Sequence, residues 1–498
     1  MRRFFFHLLV LIISLSVFAT TLAAIPWPVL AGDTHHAIGN SYGEYQNYGG
    51  SAYFHPGIDI LAPAGTPVYA VKSGYVKAVL TTAAELHWRV AIGDSAGAAE
   101  CDGWLYAHLD LNSIAVNEGD WVEQGQYLGE LVYWPTSGFH HLHFAKIHRS
   151  GVVWSSDWTF IGNPLNELEG IADPDAPAFE PARLTQQFAF CRNQTADYFP
   201  VGAPVSGDVD IISRIYDKIN SPVWKVTPNL VEYRIAGDSS IPWTTSFCFS
   251  GFLDWENNVP VVFQRDTICV SYGDYDDRVF YFNLTNTDGD STIEAGDAQN
   301  SWRTADFHNG QYTIYARATD PAGNVTVDSM TVEVANFFAL GGSVNTDDGN
   351  PDLRGSIVTV LAGGDADTTD ASGTFSLAAV GGGSQLITIA RPGYQSLDTM
   401  IVMNQACTVH ATLTPTYFTR GDANLDGVLN VGDAVYIIAY IFRNGPSPRP
   451  LFAGDINADG KINVGDSVYL INYLFREGPP PPPAKEANGA TTLVAHAK

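Results

Sequence analysis

Short runs of alternating apolar and polar residues, broken by Gly and Pro, occupy most of the chain and predict strands rather than long helices. Val68-Tyr69-Ala70-Val71 and Tyr75-Val76-Lys77-Ala78-Val79 read as strands separated by a turn at Ser73-Gly74, and Gly125-Gln126-Tyr127-Leu128-Gly129 as a short strand bounded by glycines. They place an antiparallel β unit over residues 40–166. Asp173-Pro174-Asp175-Ala176-Pro177 marks a linker, expected over 167–202. Val231-Glu232-Tyr233-Arg234-Ile235 alternates with period two, as a half-buried strand does. Tyr312-Thr313-Ile314-Tyr315-Ala316, Asp320-Pro321-Ala322-Gly323-Asn324 and Val325-Thr326-Val327 then spell strand, turn, strand. They predict a β-sandwich over 203–336, and a second is expected over 338–415. The expected class is a mainly β multidomain chain: an antiparallel β domain, two β-sandwiches and one small α-helical domain over 418–478.

The helical period appears only near the C-terminus, within a repeat. Residues 421–442 and 454–475 align without gaps at a spacing of 33. In each copy Val435, Ile438, Ala439 and Phe442, or Val468, Ile471 and Phe475, share one helical face. Each helix follows an acidic loop. Asp422, Asn424, Asp426, Asn430 and Asp433 occupy positions 1, 3, 5, 9 and 12 of the first loop; Asp455, Asn457, Asp459, Asn463 and Asp466 occupy them in the second. Gly427 and Gly460 stand at position 6, where the loop turns sharply, and Val428 and Lys461 at position 7 would offer backbone carbonyls. Ca²⁺ takes six to eight oxygens in that order, so two Ca²⁺ ions are expected. A third acidic run, Asn286-Thr287-Asp288-Gly289-Asp290, lacks the position-6 Gly and a following helix, and reads as a solvated turn. Five prolines at 479–483 begin a tail, 479–498, expected to be disordered.

Composition narrows the partners. Lys and Arg number 26 against 53 Asp and Glu, a formal charge of −27. That excess argues against nucleic acid and anionic membrane, both polyanions. Hydrophobic residues at 45% and charged residues at 16% exclude global disorder. Arg2 and Arg3, the apolar stretch 4–18 and the small residues of Thr21-Leu22-Ala23 form a secretory signal over 1–23. No other segment approaches the ~18 apolar residues of a membrane span. The mature chain is therefore expected to be secreted, extracellular or at the cell surface, with no membrane span after cleavage. Five cysteines exclude a disulfide-dense scaffold; Cys248 and Cys269, in one predicted sandwich, are the best candidates for a pair.

Histidine supplies the candidate chemistry. Seven of the 13 histidines lie between His55 and His148, a clustering that favours a metal site. Four of them sit in three short motifs: His55-Pro56-Gly57-Ile58-Asp59, Tyr106-Ala107-His108-Leu109 and His141-Leu142-His143-Phe144. Residues four apart on an extended strand project from one face, so His55 and Asp59 can converge; period two does the same for His141 and His143.

In this order over about 90 residues, with Gly57-Ile58-Asp59-Ile60, Ala62-Pro63-Ala64-Gly65-Thr66-Pro67-Val68 and Gly119-Asp120-Trp121-Val122 around them, the motifs closely resemble the lysostaphin- and LytM-type zinc endopeptidases. The resemblance covers about 40–165. It implies that His55, Asp59 and His143 hold one catalytic Zn²⁺, leaving a fourth position for water. It makes His141 the general base and His108 a stabiliser of the tetrahedral oxyanion. Inactive relatives commonly lose some of these residues; this chain keeps all five. It departs from the family at Val132-Tyr133-Trp134-Pro135, where small residues are usual, and at Ala145; His140 adds an imidazole at the rim. Tyr133 and Trp134 either stack on sugars or cover the edge of the core. The segment before Ser51, with His35 and His36, is either a cover over the zinc or an unstructured leader.

Three further resemblances follow. The hairpin around Asp320 is similar to the closing hairpin of bacterial immunoglobulin-like domains. Thr369-Asp370-Ala371-Ser372-Gly373-Thr374-Phe375-Ser376-Leu377, followed by Gly393-Tyr394, resembles carboxypeptidase regulatory-like domains. Loop followed by helix, without an entering helix, resembles a dockerin, which implies a cohesin-like partner protein; Val431-Gly432 and Val464-Gly465 replace the Ser or Thr frequent at loop positions 10 and 11. Together these imply a secreted zinc metalloendopeptidase acting on peptidoglycan stems or cross-bridges. The alternatives are a wall-binding or surface-assembly protein that does not cut, and a proteolytic or accessory member of a polysaccharide-degrading complex.

Overall fold

The computed structural model describes residues 24–497, except 31, 34, 49, 83–85, 268, 270–277, 417, 418 and 484–491. The expected signal segment 1–23 lies outside the described residues. Among those described, no helix is long and apolar enough to cross a membrane. The chain is mainly β, as its alternating pattern predicts, and its sheets are largely antiparallel.

The first unit is built on seven strands: β1 (Ile58–Leu61), β2 (Gly74–Leu80), β3 (Arg89–Gly93), β4 (Cys101–Ala107), β5 (Trp121–Val122), β6 (His141–Arg149) and β7 (Thr159–Gly162). The sheet runs β7-β6-β4-β3-β2-β5, and β1 pairs with β6 on the edge it shares with β7. β6 is central because its two faces differ. Leu142 and Phe144 are fully buried, with Phe144 stacked on Trp104 at 5.0 Å between ring centroids, while His141 and His143 take the alternate positions. Register carries the chemistry: His143 stands opposite Asp59 of β1 on one side and Ala107, the residue before His108, on the other.

The stretch 167–202, expected as a linker, supplies two strands, β8 (Ala178–Glu180) and β9 (Phe188–Arg192). Both pair with β10 (Asp208–Tyr216), which is buried along nearly its whole length between them. The apolar run Phe188-Ala189-Phe190 overrides the prolines nearby. The opposing sheet contains β11 (Leu230–Ala236), β12 (Ile241–Cys248), β13 (Gly310–Thr319) and β14 (Val325–Val334) in the order β12-β11-β13-β14. One continuous core runs from Ile25 through Val334, so this second unit packs directly on the first. Phe54 meets Phe249 at 5.8 Å, and its amide donates to the Trp255 carbonyl. None of the five cysteines forms a disulfide. Cys248 hydrogen-bonds Ser250, whereas Cys269 is buried beside Tyr198, so the candidate pair does not form.

The third unit has its own core, centred on Leu340, Val358, Ile387 and Val409, between two four-stranded sheets. Its strand β15 (Cys407–Leu413) pairs with β16 (Thr492–Ala497). The tail expected to be disordered thus ends in a strand, because the exposed edge of β15 offers unpaired backbone groups. Two helices, α1 (Val431–Arg443) and α2 (Val464–Phe475), pack on each other through Ala434, Ile437 and Leu470.

Candidate functional site

Five predicted residues meet at one end of the first sheet. Asp59 comes from β1, His141 and His143 from β6, His108 from the turn after β4 and His55 from the loop before β1. His55 is not on the strand of Asp59, so strand periodicity is not what joins them. The chain bends at Pro56-Gly57 instead. A Cβ at Gly57 would lie 2.6 Å from the Phe144 carbonyl oxygen and 2.9 Å from the His143 ring, so only glycine lets the bend pass this close.

His55 Nε2 lies 3.0 Å from His143 Nδ1 and 3.3 Å from Asp59 Oδ1, which is 3.0 Å from His143 Nδ1. The Nδ1–H of His55 donates to the Ser41 carbonyl, which leaves the Nε2 lone pair aimed at the other two donors. Two imidazole nitrogens and a carboxylate converging this closely suit a zinc ion with an open position. His55 and Asp59 are buried, and His143 is partly exposed to the cleft. Burial alone would raise the Asp59 carboxyl, yet the neighbouring His141 and His55, with a hydrogen bond from His143, hold it well below the usual range. Burial pushes His143 down to about 4, against the pull of Asp59. Burial, helped by His141 and His143, also holds His108 well below its ordinary value. Neutral imidazoles and an ionised carboxylate are the forms that bind metal.

His108 and His141 flank the trio, their rings 4.6 Å apart. His108 has φ 68°, a left-handed conformation that turns its ring into the cleft. Its Nδ1–H donates to the Leu86 carbonyl, and that of His141 to the Phe139 carbonyl. Both rings therefore present Nε2 to the cleft. Trp134 packs edge-on against both, at 4.6 and 4.8 Å, and so belongs to the wall behind them. Tyr133 is exposed beside His140, whose Nδ1 accepts the Trp134 amide proton and takes no part in the trio.

The surrounding cleft, about 1250 Å³, is completed by residues absent from the three motifs. Asn40 Nδ2 donates to Asp59 Oδ2 at 2.5 Å, and the Arg278 guanidinium holds the Asn40 side-chain oxygen and Glu44. His87 faces His108 at 5.3 Å. Trp224 and Trp255 of the second unit line the cleft, Trp224 against Phe139. Asn40, Trp224 and Arg278 carry no local signal, because they reach the site only through packing. His36 is stacked on Trp27, and neither it nor His35 joins the trio; the described residues between 24 and 50 pack on the first unit, Val29 bridged to Val68 and Ile38 to Ile60, rather than forming a loose leader.

The two acidic loops share one geometry. Asp422 accepts the amides of Asp426 and Gly427, and Asp455 those of Asp459 and Gly460. Asn424 and Asn457 each donate to the carboxylate two residues on, Asp426 and Asp459. The Asp426 and Asp459 carboxylates also accept the amides of Val428 and Lys461, the position-7 residues. Asn430 and Asn463 cap their helices in reciprocal boxes with Asp433 and Asp466. Asp433 and Asp466 are fully buried, and each accepts three backbone amides. Arg420 pairs with Asp455, tying the start of one repeat to the other. The predicted apolar faces are not the packed ones: Val435, Phe442, Val468, Ile471 and Phe475 are exposed, Phe442 at 66% and Phe475 at 69%. Two short helices bury only the face toward each other.

Comparisons with known proteins agree with this architecture. No curated protein matches the chain. Among solved structures, the catalytic domain of the antimicrobial peptidase lysostaphin from Staphylococcus simulans is 27% identical, over 25% of this chain and 88% of that one, at a TM-score of 0.21. The catalytic domain of the prophage-encoded M23 protein EnpA from Enterococcus faecalis is 27% identical, over 24% and 84%, at 0.19. A zinc containing peptidase from Vibrio cholerae is 24% identical, over 26% and 40%, at 0.21. Residues 53–154 match peptidase family M23, and residues 420–475 match the dockerin type I domain. M23 peptidases are zinc-dependent and dockerins bind calcium. The chain therefore carries a peptidase family M23 domain and, at its C-terminal end, a dockerin type I domain.

Proposed function

We propose that the protein is a secreted zinc metalloendopeptidase that hydrolyses peptide bonds of peptidoglycan stems or cross-bridges, and that its calcium-loaded dockerin module tethers it to a cohesin-like partner. The observation that carries this reading is the convergence of His55, Asp59 and His143 beside two histidines in one cleft. His55, Asp59 and His143 hold the zinc, which supplies an acidified water and polarises the scissile carbonyl. His141, its Nδ1–H committed to Phe139, takes the water proton on Nε2. His108 rests neutral with its Nδ1–H on Leu86, so it donates to an oxyanion only from the protonated ring. Trp224 and Trp255 widen the apolar wall that would receive an extended peptide.

The two calcium ions would sit in the loops 422–433 and 455–466. The exposed row of Val435, Phe442, Val468, Ile471 and Phe475 gives a partner protein an apolar surface to cover. The test is mass spectrometry of soluble fragments released from purified peptidoglycan by the mature protein and by His143→Ala at equal concentration. New peptide termini made only by the intact protein are expected and identify the bond. Absence of release by either protein overturns the peptidoglycan assignment.

A further inference from the structure

A second cluster of buried acids lies away from the cleft, at the joint between the first and second units. Asp173 belongs to the segment leading into β8, Asp217 follows β10, and Asp320 opens the turn between β13 and β14. Three stretches distant in sequence each bring one carboxylate oxygen to within 4.8 Å of the other two. All three residues are buried. Asp320 is well supplied: the Asn324 amide and side chain both donate to it at 2.8 Å. Asn324 also donates to the Asp173 and Asp175 carbonyls, which fastens the 173–175 segment to the turn.

Asp217 is not supplied. It is 1% exposed, and among the described residues neither carboxylate oxygen meets a donor at full hydrogen-bond geometry; the Lys218 amide only tempers the effect of burial. Asp173 Oδ2 is likewise without a partner. Among the described residues, none of the three forms an ion pair. Burial, reinforced by the other carboxylates, pushes Asp217 up to about 8 and Asp173 to about 6. A fold does not leave a buried carboxylate bare without a compensating charge or proton.

A cation answers the arrangement better than protons do. A shared proton would satisfy one pair of oxygens and still leave Asp217 without a donor on its second oxygen. A hard divalent cation is bound by several carboxylate oxygens at once, at about 2.3–2.6 Å for Ca²⁺, so opposing ligands stand up to about 5 Å apart. The spacing of the three oxygens fits that span. All donors are oxygens, with no His or Cys in the group, which favours Ca²⁺ over zinc. We propose that Asp173, Asp217 and Asp320 bind one Ca²⁺, with water and nearby backbone carbonyls completing its shell. The ion clamps the segment leaving the peptidase unit onto the second unit, which itself supplies Trp224 and Trp255 to the cleft.

The test is calcium stoichiometry by equilibrium dialysis with ⁴⁵Ca²⁺ on the zinc-loaded full chain, alongside thermal midpoints with and without Ca²⁺. Asp217→Asn and Asp173→Asn are each expected to bind one equivalent less than the wild type and to lose part of the calcium-dependent rise in midpoint. In a second background, Asp422→Ala with Asp455→Ala removes loop calcium, and the remaining equivalent should disappear only when Asp217→Asn is added. Unchanged stoichiometry in both single variants, with a midpoint equal to or above the wild type, overturns the site and leaves protonated carboxyls in its place. If Asp217→Asn does not fold, Asp173→Asn carries the same comparison.

Discussion

The histidine cleft and the acidic repeats are both candidate metal sites, yet they are assembled in opposite ways. Each calcium loop draws its ligands from 12 consecutive residues and is closed by its own backbone amides. The candidate zinc trio draws on residues up to 88 apart and exists only because β1 and β6 pair in one register and the Pro56-Gly57 bend brings His55 to them. A local site is specified by spacing and tolerates change elsewhere. A non-local site inherits every error in the sheet, since a one-residue slip of β6 would turn His141 and His143 to the opposite face.

The largest expected effect separates the two regions most sharply. His143→Ala should abolish peptide release and remove one zinc equivalent, with calcium content unchanged; a variant that keeps zinc and activity would break the proposed ligand set. His141→Gln should keep zinc while kcat falls by about 10²–10⁴-fold, the usual worth of a general base; loss of zinc instead would make His141 a ligand. Asn40→Ala removes the hydrogen bond that orients Asp59 and should cost about 10–100-fold in zinc affinity or activity, read by competition with a zinc chelator.

Smaller effects belong to the repeats and to pH. Asp433→Ala removes a proposed calcium ligand and the N3 half of a capping box. It should weaken calcium binding and lower helical circular dichroism while leaving hydrolysis of a soluble peptide intact. In metal-free protein, His108 and His143 are neutral in the fold and take up protons on unfolding below their ordinary value of 6.5. Their contribution to stability is full above that value and is lost as pH falls toward 4. His55, raised by Asp59 and Glu44 against its burial, works the other way. Asp173 and Asp217, raised by burial, also gain stability as pH falls, so the cleft is read by difference: between pH 6.5 and 4 the thermal midpoint of the intact chain should fall relative to that of His108→Gln. A midpoint that rises relative to the variant over that interval would mean that His108 binds protons more readily when folded.

The contrast also explains what could be read in advance. The repeats were legible because their acidic positions and turn glycine lie in one continuous string; that Asn430 and Asp433 also cap the helix came only with the structure. The five cleft residues were legible as motifs, although the reason for one pair was different: His55 reaches Asp59 by the Pro56-Gly57 bend, not by strand periodicity. Asn40, Arg278 and Trp224 were not legible, since nothing in their neighbours marks them. The strands at 178–180 and 188–192 were hidden by the prolines around them, and the exposed faces of α1 and α2 by an apolar pattern that does not say which side is covered.

By itself, the sequence determined the mainly β class and the two acidic repeats, and it singled out the residues proposed to hold zinc and calcium. These follow from local spacing, side-chain chemistry and the two periods of regular backbone. The tertiary structure alone decided that the first two units share one core, that the second unit supplies walls to the cleft, and that Asp173, Asp217 and Asp320 meet. Those outcomes depend on strand register and on which apolar faces find each other, and both are set by long-range burial that no short stretch of chain encodes.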